Sequence, residues 1–163
     1  MPAIIPTIMT HVLLANKKIN LKYEILDTYQ AGISLLGHEV KSLKLGHGNF
    51  EGSYIVIKED RGKYHIVLRS LAIPPYQANN QSPTYNPERE RALLLNRKEI
   101  LAIERELHNK GTTLVPQSIG IERGRIKVAI AIVRGKKKHD KRHDIKKRDQ
   151  QRDADRDSKA RFK

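Results

Sequence analysis

The feature that most constrains this chain is the change in composition at Arg134, where short apolar segments give way to charge. The run from Arg134 to Arg142 reads Arg-Gly-Lys-Lys-Lys-His-Asp-Lys-Arg. From Arg134 to Lys163 there are 14 Lys and Arg residues against 6 Asp, which is +8 of the whole chain's +14. Like charges at this density oppose packing of the segment on itself. We therefore predict one folded body followed by a basic tail.

The excess of positive charge indicates a polyanionic partner. The chain has a pI of about 10.1, and a polycation gains affinity from the counterions released when it neutralises phosphates. No apolar run in the 163 residues approaches the roughly 18 residues of a membrane-spanning helix. Nucleic acid is therefore favoured over a membrane. The lack of cysteine rules out disulfides and thiolate metal sites and fits the cytoplasm.

Apolar segments separated by Gly, Asn, Asp or Pro predict about six strands in the body. Gly62 and Gly124 are placed to supply the positive φ of two hairpin turns. Because consecutive strands joined by hairpins are antiparallel, we expect a mainly β (α+β) fold closing into a small barrel. The predicted strands are Leu21–Tyr29, Gly32–Leu36, Ser53–Lys58, Lys63–Leu71, Thr113–Ile121 and Arg125–Val133.

Helices are predicted at three places. A short one covers His38–Leu45. Asn86-Pro87 resembles a helix start that leads into the apolar cluster Ala92–Leu95. Asn96 and Glu99 have the spacing of a capping box, which predicts a helix running to Asn109.

The tail contains pairs in which an acid precedes a base by four residues, the arrangement that favours a helix. These pairs are Asp144 with Arg148, Asp155 with Lys159, and Asp157 with Arg161. An isolated helix of this length with few apolar residues is marginal in water. We expect the tail to be coil when free and helical when it lies along RNA.

No catalytic or cofactor-binding motif is present in the sequence, and we predict no cofactor. His139, Asp140, His143 and Asp144 are potential metal ligands, but the neighbouring lysines repel a cation, and we predict no metal. Two alternatives to an RNA-binding factor stay open. One is a nuclease using this His-Asp cluster, and the other is a permanent ribosomal protein.

Five blocks in order along the chain resemble the signature segments of the SmpB family, the bacterial SsrA-binding proteins. The resemblance extends from Asn16 to about Asp149, and the combination is specific although each block alone is short. The blocks are Asn16-Lys17-Lys18, Ala31-Gly32-Ile33, Gly37–Lys44, Arg91–Asn96 and Gly135–Arg142.

The resemblance implies a small closed antiparallel barrel of OB-like topology with about three helices. It implies binding to the tRNA-like domain of transfer-messenger RNA (tmRNA) and entry into the A site of stalled ribosomes with elongation factor Tu and GTP. The tail would enter the decoding centre of the small subunit and the empty mRNA channel. On this basis we expect a disordered extension at 1–15, an RNA-binding barrel at 16–133 and a basic tail at 134–163.

The resemblance also implies functional residues, each with a structural alternative. Leu94 could instead belong to a helix core, and Asn96 could be only an N-cap. Lys127 alternates with apolar neighbours and is expected to face outwards, towards phosphate. The implied tmRNA contacts are Asn16, Gln30, Leu94, Asn96 and Lys127. The implied ribosome contacts are Arg134, Lys136, Lys137, His139, Asp140, Lys141 and Arg142, with His139 stacking near the decoding nucleotides; otherwise they form a solvated charge run.

Glu39 is an acid in a basic neighbourhood and is a further candidate for tmRNA binding. Its carboxylate could accept a hydrogen bond from a base amine. Alternatively, it could complement the dipole at the start of the predicted helix.

Overall fold

The computed structural model describes residues 9, 11–77, 83–137, 145, 147 and 149–152. Seven strands occur in these ranges: β1 His11–Ala15, β2 Tyr23–Ile33, β3 Tyr54–Asp60, β4 Lys63–Arg69, β5 Arg91–Leu94, β6 Thr112–Glu122 and β7 Arg125–Gly135. The helices are α1 Ile19–Lys22, α2 Gly37–Lys44 and α3 Arg97–Leu107. Residues 145, 147 and 149–152 are also helical. No helix in the described part of the chain is long and apolar enough to cross a membrane.

The strands close into a ring. The hydrogen-bonded order is β1-β6-β3-β4-β5-β2-β7, and β7 pairs in addition with β6. Every pairing between named strands is antiparallel. Six strands, β2 to β7, therefore form the ring. β1 pairs with residues 118–121 of β6, beyond the point where β6 pairs with β3. This is the OB-like, β-dominated α+β fold that the sequence predicts.

Two clusters of buried side chains stabilise the ring. The main core fills its interior with residues such as Ile66, Leu68, Ile130 and Ile132, and Ile103 of α3 packs against them. A second cluster lies on the outer face of the sheet and consists of Ile19, Val115, Ala131 and Val133. Ile19 belongs to α1, so this short helix covers the ends of β6 and β7 from outside.

Both predicted hairpins are confirmed. β3 pairs with β4 over seven residues across Arg61-Gly62, and β6 pairs with β7 across Arg123-Gly124. All four turn residues have positive φ, between 48° and 75°. Two consecutive residues with positive φ form the turn that matches the twist of a hairpin, and glycine in the second position lowers its cost.

Three of the predicted elements are wrong. The segments Leu21–Tyr29 and Gly32–Leu36 are not separate strands, because β2 runs from Tyr23 to Ile33 with a register shift between Ile25 and Asp27. Ala92–Leu95 is not helical, because Ala92 to Leu94 lie in β5, which pairs with both β2 and β4. Pairing on both sides outweighs the local preference of an Ala-Leu run for helix.

The barrel is also longer than predicted at both ends. β1 lies within the predicted disordered extension and pairs with β6 from His11 to Ala15. At the other end, Arg134 and Gly135 continue β7 beyond the predicted boundary at 133. The partner of β1 lies about a hundred residues away along the chain, so no local pattern predicts that pairing. Arg134 continues the β6–β7 hairpin opposite Thr112 and also pairs with the distant Glu24.

Candidate nucleic-acid interface

One outer face of the ring brings three distant residues into a single row. Gly32 of β2 is the register partner of Lys127 on β7 and of Leu94 on β5. Directly opposed residues in an antiparallel sheet point to the same face, so Lys127 and Leu94 flank Gly32 on the outside. A Cβ on Gly32 would lie 3.2 Å from the Cβ of Leu94. The glycine therefore lets Leu94 lie flat across β2.

Leu94 is the most exposed large apolar side chain among the described residues, with 64% of its surface accessible. The alternative that it belongs to a helix core is wrong, because it lies on a strand and points away from the interior. The burial of Arg91 and Leu93 on the same strand fixes this orientation by alternation. An exposed leucine beside an outward lysine suits contact with sugar and base surfaces.

Gln30 lies on the same face, two residues before Gly32. Tyr29 and Ala31 are buried, so the alternation of β2 turns Gln30 outwards, opposite Ala129 of β7. The side chain is half-buried. The structure thus brings Gln30, Leu94 and Lys127 together.

Lys127 already has an acidic neighbour. Its Nζ lies 2.9 Å from Oε2 of Glu122, and 35% of the lysine side chain is exposed. The Glu122 side chain is only 9% exposed, so withdrawing the lysine would leave a buried carboxylate without its counter-ion. A phosphate can therefore approach the ammonium group from its exposed side but not displace it from Glu122.

Asn96 is the N-cap of α3, as the capping-box pattern predicts. Its Oδ1 accepts a hydrogen bond from the backbone N–H of Glu99 at 2.9 Å, and Glu99 Oε2 accepts one from the Asn96 N–H at 3.0 Å. The residue is exposed and lies two positions after Leu94. The capping role is confirmed. It uses the Oδ1 atom of the side chain and not the NH₂ donors.

Asn16 lies beside β6, immediately after β1. Its Nδ2 donates to the carbonyl of Pro116 at 3.1 Å, and its backbone N–H donates to Gln117 O at 2.9 Å. These bonds hold the register shift in β6 between Pro116 and Ser118. A cavity of about 390 Å³ opens beside Asn16, and its lining includes Lys17, Lys18, Lys22, Tyr23 and Tyr54.

Glu39 lies away from this face, and the prediction that it contacts RNA directly is wrong for this structure. Its side chain is fully buried, as is that of Arg91. Both carboxylate oxygens accept hydrogen bonds from within the chain. The donors are Leu36 N (2.8 Å), Tyr85 Oη (3.1 Å), Arg89 Nε (2.9 Å) and Nη2 (2.7 Å), and Arg91 Nε (3.1 Å) and Nη2 (2.8 Å).

The electrostatics of this buried cluster explain why Glu39 remains charged. Burial raises the pKa of the carboxyl, but hydrogen bonds from Arg89, the Leu36 N–H and Arg91 outweigh that effect and lower the pKa from 4.5 to about 2. Arg91 in turn donates to the carbonyls of Leu71 and Pro87. The cluster thus ties α2 to β5 and to the connection between β4 and β5.

Arg91 is a residue that the sequence analysis missed. It begins the strand that carries Leu94, and its guanidinium is 0% exposed. The ion pair joins positions 39 and 91, which are 52 residues apart. The sequence offered one signal for this pair: Glu39 lies in the block Gly37–Lys44 and Arg91 in the block Arg91–Asn96, and both blocks belong to the family resemblance.

The predicted ribosome-binding residues fall partly within the described chain. Arg134 is the penultimate residue of β7 and is exposed, and Lys137 is also exposed. Lys136 is anchored to the region around α1, because its backbone N–H donates to Lys22 O at 3.1 Å and its Nζ donates to Asn20 O at 2.8 Å. His139, Asp140, Lys141 and Arg142 lie outside the described residues, as does the His-Asp cluster. Among the described residues no group of three or more His, Asp or Glu is placed to hold a metal ion.

Comparison with known proteins identifies the family. The model of the family described as "SmpB protein" matches residues 13–160. An SsrA-binding protein of Nitratidesulfovibrio vulgaris (strain DP4) is 44% identical over 130 residues, which cover 80% of this chain and 81% of that protein. One from Thermosynechococcus vestitus is 39% identical over 80% of this chain and 83% of that protein.

A solved structure gives the same result. It is described as "tmRNA-SmpB: a journey to the center of the bacterial ribosome" and superposes with a TM-score of 0.61. The identity is 40%, and the match covers 76% of this chain and 84% of the other. The chain belongs to the SmpB family of SsrA-binding proteins.

Proposed function

We propose that this protein binds the tRNA-like domain of tmRNA and brings it to the A site of stalled ribosomes in trans-translation. The observation that carries the proposal is the row Lys127–Gly32–Leu94 on the outer face of a ring that belongs to this family. The relatives are named SsrA-binding proteins, and the similar solved structure concerns tmRNA with SmpB on the bacterial ribosome.

The chemistry of this face suits a folded RNA. Lys127 supplies a cation for a phosphate, and Leu94 supplies an apolar surface for a sugar or an unstacked base. The amides of Gln30, Asn96 and Asn16 can donate and accept hydrogen bonds. Their spread over β7, β2 and β5, the end of β1 and the start of α3 gives a wide surface. Such a surface recognises RNA by shape and backbone more than by sequence.

We propose a different role for the basic tail at 134–163. Arg134, Lys136 and Lys137 with His139, Asp140, Lys141 and Arg142 would bind ribosomal RNA at the decoding centre. The tail, which is already helical at residues 145, 147 and 149–152, would lie along this RNA on entering an empty mRNA channel. The affinity of the tail for ribosomal RNA would be electrostatic, because a basic segment is attracted to a polyanion. Electrostatic attraction alone would not distinguish an empty channel from one that holds a message, since a message is also a polyanion. Selection for empty channels would be steric, because a message occupies the same volume.

The other partners follow from the same proposal. Alanylated tmRNA would link the protein to elongation factor Tu and GTP without a direct contact by this chain. The protein would act as an RNA-binding factor in the cytoplasm, with binding rather than catalysis as its activity.

Binding to a labelled tRNA-like domain tests the proposal. We expect the protein to bind this RNA more tightly than a duplex of equal length at the same salt concentration. Lys127→Gln should weaken binding and reduce the slope of log K against log salt by about 0.9, the contribution of one phosphate contact. Lys63→Gln, which removes an exposed lysine at the β3–β4 hairpin, is the matched control.

Three results would overturn the proposal. Equal affinity for the tRNA-like domain and the duplex would remove specific recognition. Cleavage of the RNA on incubation with protein and Mg²⁺ or Mn²⁺ would instead favour the nuclease alternative. Co-fractionation in equal amounts with all small subunits would favour a permanent ribosomal protein over a rescue factor.

A further inference from the structure

We propose that the open edge of β3 binds a basic, extended segment of a partner protein by adding it as a strand. This site goes beyond the proposed RNA-binding function. In the six-membered ring, β3 is three strands away from β2 in either direction. It therefore lies opposite the face that carries Gly32, Leu94 and Lys127, and both partners could bind at once.

The edge is defined by the pairing of β3. Its seven residues all pair with β4, but on the other side only Ile55 has a partner, Leu114 of β6. Within the described chain no strand pairs with Val56–Asp60 on that side. Every second residue of a strand directs its N–H and C=O to a given edge. An unpaired edge of this kind is a template for strand addition.

A groove runs along this edge. Its volume is about 520 Å³, and it lies between β3, the start of β6 and the C-terminal half of α3. Ile57, Leu107, Leu114 and Tyr64 give it an apolar surface. An added strand would place alternate side chains against these residues while its backbone pairs with β3.

The charge of the groove determines the kind of partner. Glu59 and Glu104 line it, in a chain whose net charge is +14. Glu104 and then Glu59 raise the pKa of the Tyr64 hydroxyl, while Arg97 lowers it by a smaller amount, so the two carboxylates outweigh this cation at Tyr64. The nearby Lys58 is directed away to Glu90, at 2.7 Å. The groove therefore favours a cationic segment.

The same charges disfavour other occupants. RNA would bring phosphates against Glu59 and Glu104. In an antiparallel pairing of Val56–Asp60 with the same segment of a second copy, Lys58 would lie opposite the Lys58 of that copy. Like charges opposed across a strand pair are destabilising. A basic peptide meets neither obstacle.

A synthetic peptide of eight alternating lysine and valine residues tests the site on the full-length, ¹⁵N-labelled protein. We expect saturable binding, with slowed amide exchange confined to residues in Val56–Asp60. A peptide alternating glutamate and valine should not bind. The Lys-Val peptide N-methylated at alternate residues on its pairing edge should also fail, because it keeps the charge but lacks the N–H donors that a strand pair requires.

Charge-neutralising variants give the second test. Glu59→Gln and Glu104→Gln should each weaken binding roughly two- to fivefold, as expected for partly exposed ion pairs. Glu24→Gln, which removes an exposed strand carboxylate on β2, should bind as the unmodified protein does.

Three outcomes would overturn the inference. The first is equal binding of the N-methylated peptide, which would mean charge attraction without strand addition. The second is slowed exchange of Val56–Asp60 that grows with protein concentration in the absence of peptide, which would assign the edge to a second copy. The third is slowed exchange of these amides by RNA.

Discussion

Glu39 carries its charge in a site closed to solvent. An unpaired buried carboxylate would be strongly unfavourable, and a buried ion pair is tolerated only when hydrogen bonds satisfy both partners. Arg89, Arg91, Tyr85 and the Leu36 N–H meet that condition. The carboxylate therefore acts on β5 through Arg91, three residues before Leu94.

Glu39→Gln should destabilise the fold by about 3 kcal/mol, because it leaves the Arg91 charge buried without its counter-ion. The free energy of unfolding measured by urea denaturation checks this value. Glu90→Gln is the matched control, since Glu90 pairs with Arg69 and Lys58 on the surface. It should have a much smaller effect. Equal effects from the two variants would contradict the account.

The pKa of Glu39 also predicts a pH dependence. The folded-state pKa is lowered from 4.5 to about 2, so the stabilisation is complete above 4.5 and is lost as the pH falls through about 2. The unfolding free energy of the unmodified protein should thus rise with pH between about 2 and 4.5. Glu39→Gln should show a shallower rise across this window in urea titrations. Parallel curves for the two proteins would rule out this carboxyl as the source.

Leu94→Ser separates binding from stability. The side chain is largely exposed, so the change should alter the unfolding free energy by less than about 0.5 kcal/mol. Affinity for the tRNA-like domain should fall, because the apolar contact surface is lost. Leu45→Ser, at a comparably exposed leucine after α2, should leave affinity unchanged. Loss of affinity in both variants would show that position 94 has no special role.

Residue roles were predictable from the sequence where the partner is near in the chain. Asn96 and Glu99 are three positions apart, so their mutual hydrogen bonds could be read as a capping box. Glu39 and Arg91 are 52 positions apart, and only the folded chain brings them together. The outward direction of Lys127 was predictable from alternation, but its position beside Gly32 was not.

At the scale of elements, α3 depends on its cap. Asn96→Ala should destabilise the protein by about 1 kcal/mol, whereas Asn96→Ser should retain most of the stability, since serine also caps. If the amide also contacts RNA, Asn96→Ser should bind the tRNA-like domain more weakly despite its near-normal thermal unfolding. Unchanged affinity in Asn96→Ser would reduce Asn96 to a capping residue.

The elements also show where local patterns fail. The hairpins β3–β4 and β6–β7 and the helix α3 depend on neighbouring residues, and all three were predicted. The sequence predicts helix for β5, because Ala92, Leu93 and Leu94 favour helix locally and its two partner strands are distant. α1 has only four residues and is held by the packing of Ile19 on β6 and β7. A segment of that length has no periodicity to detect.

At the scale of the whole molecule, the ring and the tail separate two tasks. The ring encloses the main core and presents the outer face proposed to bind tmRNA. The hydrogen bonds of Lys136 to Asn20 and Lys22 anchor the start of the tail. Further along, Ile145, Asp149 and Arg152 line a cavity together with Lys17, Lys18 and Leu21. We expect rescue activity to fall as the message extends further past the A site. Equal activity on full-length messages would contradict steric selection by the tail.

The most direct measurement compares the full chain with a version ending at Lys137, which keeps all of β7 and the anchoring of Lys136. Binding to the tRNA-like domain is measured at a salt concentration that suppresses non-specific attraction, together with the rate at which stalled ribosomes are released. The account predicts that the shortened chain binds the RNA but does not release the ribosomes. Release at an undiminished rate would contradict it.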